Sequence, residues 1–235
     1  MSEQLALLPD VRARQLVLPL PIANEALDPP VAGPANIAGT ELMAAWPRWP
    51  SHLVVLHGPP GSGTSHLASH WAARARAHRL RAETLGDVDI SVSSCSAYWL
   101  DHAEVALGGE RPRASQRALF HIANALRERG GTLLLTSRSP ASNWSLSLPD
   151  LSSRMRSATH VAIDVPDEAM LREVAARFLT ARQLPLSQSV LDALVSRTDR
   201  SFSALERAVD RIDREALAAS RAIDARWVAR ILGRP

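Results

Sequence analysis

Leu53-Val54-Val55-Leu56-His57-Gly58-Pro59-Pro60-Gly61-Ser62-Gly63-Thr64-Ser65 is the stretch that decides how this chain folds. Its first five residues form a short apolar run, and glycine and proline end it, the pattern of a buried strand leaving into a turn. Gly58 to Ser65 then matches GxxxxGK(S/T) at every position but one. In that motif successive backbone N–H groups and a helix N-terminus point at phosphate oxygens. Gly58, Pro60, Gly61, Ser62, Gly63, Thr64 and Ser65 are therefore candidate phosphate-binding residues, with the Ser65 hydroxyl placed to reach Mg²⁺. Thr64 stands where the motif carries lysine, and no lysine can replace it, because all 27 basic residues are Arg. Threonine donates a hydrogen bond without charge, and a charge-assisted contact is roughly twice as strong as a neutral one. Two states stay open: ADP or ATP with Mg²⁺ held weakly, or no nucleotide. Efficient hydrolysis is not expected.

Working outward, Asn36–Trp46 reads as a short helix closed by Pro47, and Ser65–Leu80 as a helix with Leu67, Trp71 and Ala75 on one face. Ala97–Leu100 is a second buried strand, and Asp101 at its end is a candidate metal-facing acid. Ala114–Arg129 reads as a helix stopped by Gly130-Gly131. Thr132–Thr136 is a third strand, with Ser137 placed to contact a γ-phosphate, and Thr159–Val165 a further strand. Alternating strands and helices imply a parallel sheet covered on both faces. After Pro166 the strand signal ends. Helices are predicted from Asp167-Glu168 onward and over Ser189–Arg197, Phe202–Ser220 and Ala225–Leu232. The expected class is α/β, with three parts: a proline-rich segment 1–30, an α/β core 31–166 and a small all-helical domain 167–235.

The 235 residues carry a net charge of +3, split between 15 Arg against 14 acids over 1–166 and 12 Arg against 10 acids over 167–235. Neither part is a basic domain, which weighs against a direct DNA binder. The single cysteine, Cys95, cannot close an internal disulfide and suits a reducing compartment. The start of the chain lacks a signal-peptide pattern, and no apolar run reaches the ~18 residues of a membrane span. A soluble, cytoplasmic protein without a membrane partner is expected.

Several segments together resemble the AAA+ group, and within it the DnaA/Hda branch of bacterial replication-initiation proteins. Val31-Ala32-Gly33-Pro34-Ala35-Asn36 resembles the motif near the adenine, and GPPGSGTSHLA the phosphate loop with its following Ser-His-Leu. TLLLTSRSP resembles the third-strand segment. Leu148-Pro149-Asp150-Leu151-Ser152-Ser153-Arg154 resembles the stretch that ends in the arginine finger, and VPDEAMLREVAARF the start of the helical lid. The resemblance implies an AAA+ P-loop core with a lid, and a finger at Arg154 acting on a neighbour's nucleotide. Arg156 is the competing finger.

Two features point to the Hda side of that branch. After the lid the sequence has no stretch resembling DnaA's helix-turn-helix domain. Near the start, Gln15-Leu16-Val17-Leu18-Pro19-Leu20 resembles Hda's clamp-binding motif. As a short extended peptide it offers Gln15 to a pocket rim, with Leu16, Leu18 and Leu20 as apolar anchors beside Pro19. Gln4-Leu5-Ala6-Leu7-Leu8 is a rival copy. The sequence also departs from the group. Thr64 replaces the lysine, His102 follows Asp101, and Ser203 falls where the lid's sensor arginine stands. The resemblance thus implies a negative regulator of replication initiation with a weakened nucleotide site of its own. Its partners would be DnaA, the sliding clamp of DNA polymerase III, DNA indirectly through the clamp, and a second copy of itself. An autonomous AAA+ ATPase of the helicase-loader kind is the alternative, and Thr64 and His102 count against it.

Overall fold

The computed structural model describes residues 29–88, 95–219 and 223–233. Its centre is β1 (Leu53–His57), flanked by β4 (Thr132–Ser137) and β5 (Thr159–Ala162); β3 (Ala97–Leu100) and β2 (His78–Leu80) continue the sheet beyond β4. The order is β2-β3-β4-β1-β5, and every pairing is parallel. Parallel neighbours need crossovers, and here the crossovers are helices that cover both faces. Leu53, Val54, Val55 and Leu56 are therefore all buried, although strand geometry sends them alternately to opposite sides.

Leu53 and Val55 pack with Tyr98, Leu100, Leu133 and Leu135 beneath α4 (Pro112–Glu128) and α5 (Pro149–Arg156). Val54 and Leu56 face α1 (Ile37–Ala45) and α2 (Thr64–Ala75), where Met43, Leu67 and Trp71 fill the layer. Full burial of one such side chain contributes about 1.5–3 kcal/mol, so these two layers dominate the stability of the core. Beyond Pro166, Asp167 caps α6 (Glu168–Ala181) by accepting from the Met170 N–H at 2.9 Å. With α7 (Gln188–Val195), α8 (Phe202–Ala219) and α9 (Ala225–Leu232) it builds a separate apolar cluster around Leu179, Leu194, Leu205 and Ile212. The architecture is an α/β core with a five-stranded parallel sheet, followed by a small all-helical lid. Among the described residues no helix is long and apolar enough to cross a membrane.

The helix expected over 65–80 stops at Ala75. Arg76 takes a left-handed conformation and donates its N–H to the carbonyls of Ala72 and Ala73. His78–Leu80 then pairs with Tyr98–Leu100 as the edge strand β2. Three residues carry too little periodicity to be told from a helix end, and the open edge of β3 decided their state. The expected strand over 159–165 ends at Ala162, after which the Ile163 N–H still bonds the His57 carbonyl at 2.7 Å. Two helices carried no sequence expectation, α3 (Ala103–Gly108) and α5.

Candidate functional site

Gly58 leaves β1 with its N–H on the Ser137 carbonyl at 3.1 Å, which ties the loop to the end of β4. A Cβ at Gly58 would lie 2.4 Å from the Ile163 carbonyl oxygen, so only glycine fits. Gly61 and Gly63 have φ of 78° and 94°, the left-handed region that a side chain resists. Pro59 and Pro60 sit between these turns, and Thr64 opens α2. The Ser62 hydroxyl is buried and has no hydrogen-bond partner.

Ser65 and Asp101 come together as the motif predicts: the Ser65 hydroxyl donates to Asp101 Oδ1 at 2.8 Å. Thr136 Oγ1 donates to the same oxygen and accepts from the His102 N–H at 3.1 Å. Ser137 is buried with its hydroxyl donating to the Ser139 carbonyl at 2.7 Å, so Thr136 is the strand-end hydroxyl at the acid. Arg79 was not foreseen. Its Nη2 lies 3.6 Å from Asp101 Oδ2, and its guanidinium stacks over Trp99 at 4.9 Å. His102 Nε2 stands 3.9 Å from the same oxygen. The signal for Arg79 was hidden in the three-residue β2, whose register sets Arg79 opposite Trp99.

The lid sits directly on the loop. The Phe202 N–H donates to the Gly61 carbonyl at 2.8 Å. A Cβ at Gly61 would meet Ser201 Cβ at 2.5 Å and Ser203 Oγ at 2.7 Å, and one at Gly63 the Phe202 ring at 3.1 Å. Ser203 thus occupies the lid position next to the loop and brings a hydroxyl there, not a charge. Ahead of α1, buried Asn36 accepts from the Gly33 N–H at 2.9 Å and donates to the Val31 carbonyl at 2.8 Å, holding 31–36 in a turn. The carboxylate that would hold a divalent cation here faces a guanidinium and an imidazole.

Arg154 lies at the other edge of the sheet. Pro149 opens α5, Leu151 and Met155 turn into the core, and Arg154 falls on the outer side of the last turn. Its Nη2 donates to Asn124 Oδ1 on α4, and its guanidinium lies 5.9 Å from the Phe120 ring centroid. Phe120, Asp150, Ser153, Arg154 and Ser157 line a groove of about 300 Å³. Among the described residues no carboxylate lies within ion-pair distance of Arg154. Arg156 is exposed and bonds Ser152 Oγ of its own helix at 2.9 Å. His52, just before β1, is held below its ordinary pKa by burial first, then by the charges of Arg154 and Arg127. That places Arg154 where the strands begin, whereas the phosphate loop leaves where they end. The five residues of β1 separate the two sites by roughly 16 Å at 3.3 Å per residue. Gln15, Leu16, Leu18, Pro19 and Leu20, with the rival Gln4 segment, lie outside the described residues.

No family model and no curated protein matches the sequence. Solved structures do match the fold. Domain III of the replication initiation protein DnaA from Thermotoga maritima superposes with a TM-score of 0.74 at 18% identity, over 88% of this chain and 94% of that one. The fold is that of DnaA domain III. A replication initiator DnaA bound to AMPPCP and single-stranded DNA gives 0.64 at 18% identity, covering 83% of this chain and 67% of that longer one. The Thermotoga maritima RuvB Holliday junction branch migration motor gives 0.64 at 17%, over 85% and 68%. DnaA and RuvB thus share the overall fold of this chain.

Proposed function

We propose that this chain is an Hda-like regulator that suppresses replication initiation by speeding hydrolysis of ATP bound to DnaA. The observation that carries the reading is Arg154, held by the neutral Asn124 and Phe120, with no ion pair to a carboxylate among the described residues, and at the end of the sheet opposite its own phosphate loop. A guanidinium so held keeps its full charge and is directed at another molecule. Entering the nucleotide site of ATP-bound DnaA, it neutralises charge developing on the transferring γ-phosphoryl group. Such fingers contribute ~10³–10⁵ in rate. The likeness to DnaA domain III supports the pairing, since related AAA+ surfaces suit side-by-side packing. The Gln15 segment holds the protein on the DNA-loaded sliding clamp, and DNA is met through the clamp.

The test is single-turnover hydrolysis of DnaA-bound ATP with DNA-loaded clamp. The wild-type chain should stimulate it, and Arg154→Ala should not, while still binding the clamp. Gln15→Ala with Leu18→Ala should lose clamp affinity by a factor of ~30 or more, because an anchor residue typically contributes ≥ ~2 kcal/mol. Full stimulation by Arg154→Ala overturns the mechanism, and loss only with Arg156→Ala moves the finger two residues along.

A further inference from the structure

Asp101 is the carboxylate that meets Ser65 of the phosphate loop, and its oxygens are already engaged. Oδ1 accepts from Ser65 and Thr136. Oδ2 faces Arg79 Nη2 at 3.6 Å and His102 Nε2 at 3.9 Å, and the carboxylate is only 12% exposed. Arg79 stands on β2, paired in register with Trp99, and its guanidinium carbon lies 4.9 Å from the centroid of that ring. Arginine is suited to this double duty, because its planar cation stacks on an aromatic face while its N–H edge meets a carboxylate. Mg²⁺ would need near-octahedral coordination at 2.0–2.1 Å through the same hydroxyl and carboxylate. There it would meet the Arg79 charge only a few ångströms away, on a side chain that is 62% exposed and reaches in over a carboxylate that is 12% exposed.

We infer that Arg79 is the resident counter-ion of Asp101 and keeps divalent cations out of the phosphate loop, so that any phosphate the loop accepts enters without a metal. This does not rest on the regulatory reading: it concerns the chain's own loop and holds whether or not Arg154 acts on DnaA. It also accounts for His102. A carboxylate that holds no ion tolerates a second basic group beside it, where a hydrolytic site needs an acid.

The probe is Mn²⁺, titrated into the full chain and followed by the paramagnetic resonance signal of the free ion. The wild type should bind no Mn²⁺ tightly. Arg79→Gln should gain one site at least ten-fold tighter, and adding Asp101→Asn should abolish it. Arg79→Met, which keeps the apolar stem over Trp99, should behave as Arg79→Gln does and guards against loss of packing at β2. Equal Mn²⁺ affinity in wild type and Arg79→Gln would show that Arg79 yields to the metal and would overturn the inference. No gain in either Arg79 variant would overturn it as well, since something other than Arg79 would then exclude the ion.

Discussion

The two edges of the sheet treat charge in opposite ways. Where the strands end, Asp101 and Arg79 satisfy each other, with Ser65, Thr136 and His102 filling the remaining positions. Where the strands begin, Arg154 is positioned by an amide and an aromatic ring and meets no carboxylate among the described residues. A closed charge network has little left to offer a ligand. A cation held by neutral groups keeps its charge for whatever arrives. The lid follows the first pattern: Arg172 pairs with Glu168 and Asp192, Arg177 with Glu173, and Arg182 with Asp210. Exposed pairs of that kind contribute ~0–1 kcal/mol each and mainly set side-chain geometry.

The strongest test of this contrast is the quality of the charge at Arg154. Arg154→Lys should recover little of the ~10³-fold or greater loss expected of Arg154→Ala, because a point charge lacks the planar fork. Near-complete recovery in the single-turnover assay would mean that charge alone suffices. Next in size is the phosphate loop. Thr64→Lys should tighten ADP binding about ten-fold or more, since a hydrogen bond to a charged group contributes ~1.5–3 kcal/mol. Calorimetry showing no gain would mean that the seated lid, through Phe202 and Ser203, blocks the loop whatever the residue at 64.

A smaller effect is expected at Asn124, which positions Arg154 without touching the partner's nucleotide. Asn124→Leu should lower stimulation at saturating regulator roughly three- to ten-fold, in line with loss of one hydrogen bond at ~1 kcal/mol. The concentration giving half of the maximal effect should stay the same, and a shift in it would assign Asn124 to docking instead. The smallest effect is on pH. His52 is held below its ordinary value of 6.5 by burial, then Arg154 and Arg127; His57 is lowered by burial, then His160. Below about 6.5 the unfolded chain therefore binds more protons than the folded one. Stability from these groups is full above that pH and is lost as pH falls toward the depressed folded values. Melting temperature should drop on acidification, and His52→Gln should drop less steeply over the same range. An equal slope in both proteins would remove His52 from the account.

The phosphate loop was legible because its demands are local. Left-handed glycines at 61 and 63, a helix opening at Thr64 and an apolar strand before Gly58 all sit within thirteen adjacent residues. Ser65 and Asp101 were each named as candidates in the sequence, and the fold brings them together. Arg79 was not, since β2 is three residues long and its state depends on β3 beside it. The contact of Thr136 with Asp101 was not read either, because sequence alone does not say which strand-end hydroxyl faces the acid. At the other edge, the stretch ending in Arg154 stood out as a motif, but Asn124, Phe120 and His52 did not, being 30, 34 and 102 positions away in the chain.

The sequence by itself determined the class of fold and the loss of the loop's lysine. Strand periodicity, glycine conformation and residue charge are properties of neighbouring residues. Tertiary structure decided what each remaining charge does. Asp101 and Arg154 were both singled out in the sequence, an acid after a strand and an arginine closing a motif, but neither came with its spatial neighbours. One met a guanidinium brought in by an adjacent strand, the other an amide and a ring from a packed helix. An electrostatic interaction falls off with distance in space and not along the chain, so only the folded molecule sets which charge is spent and which is kept.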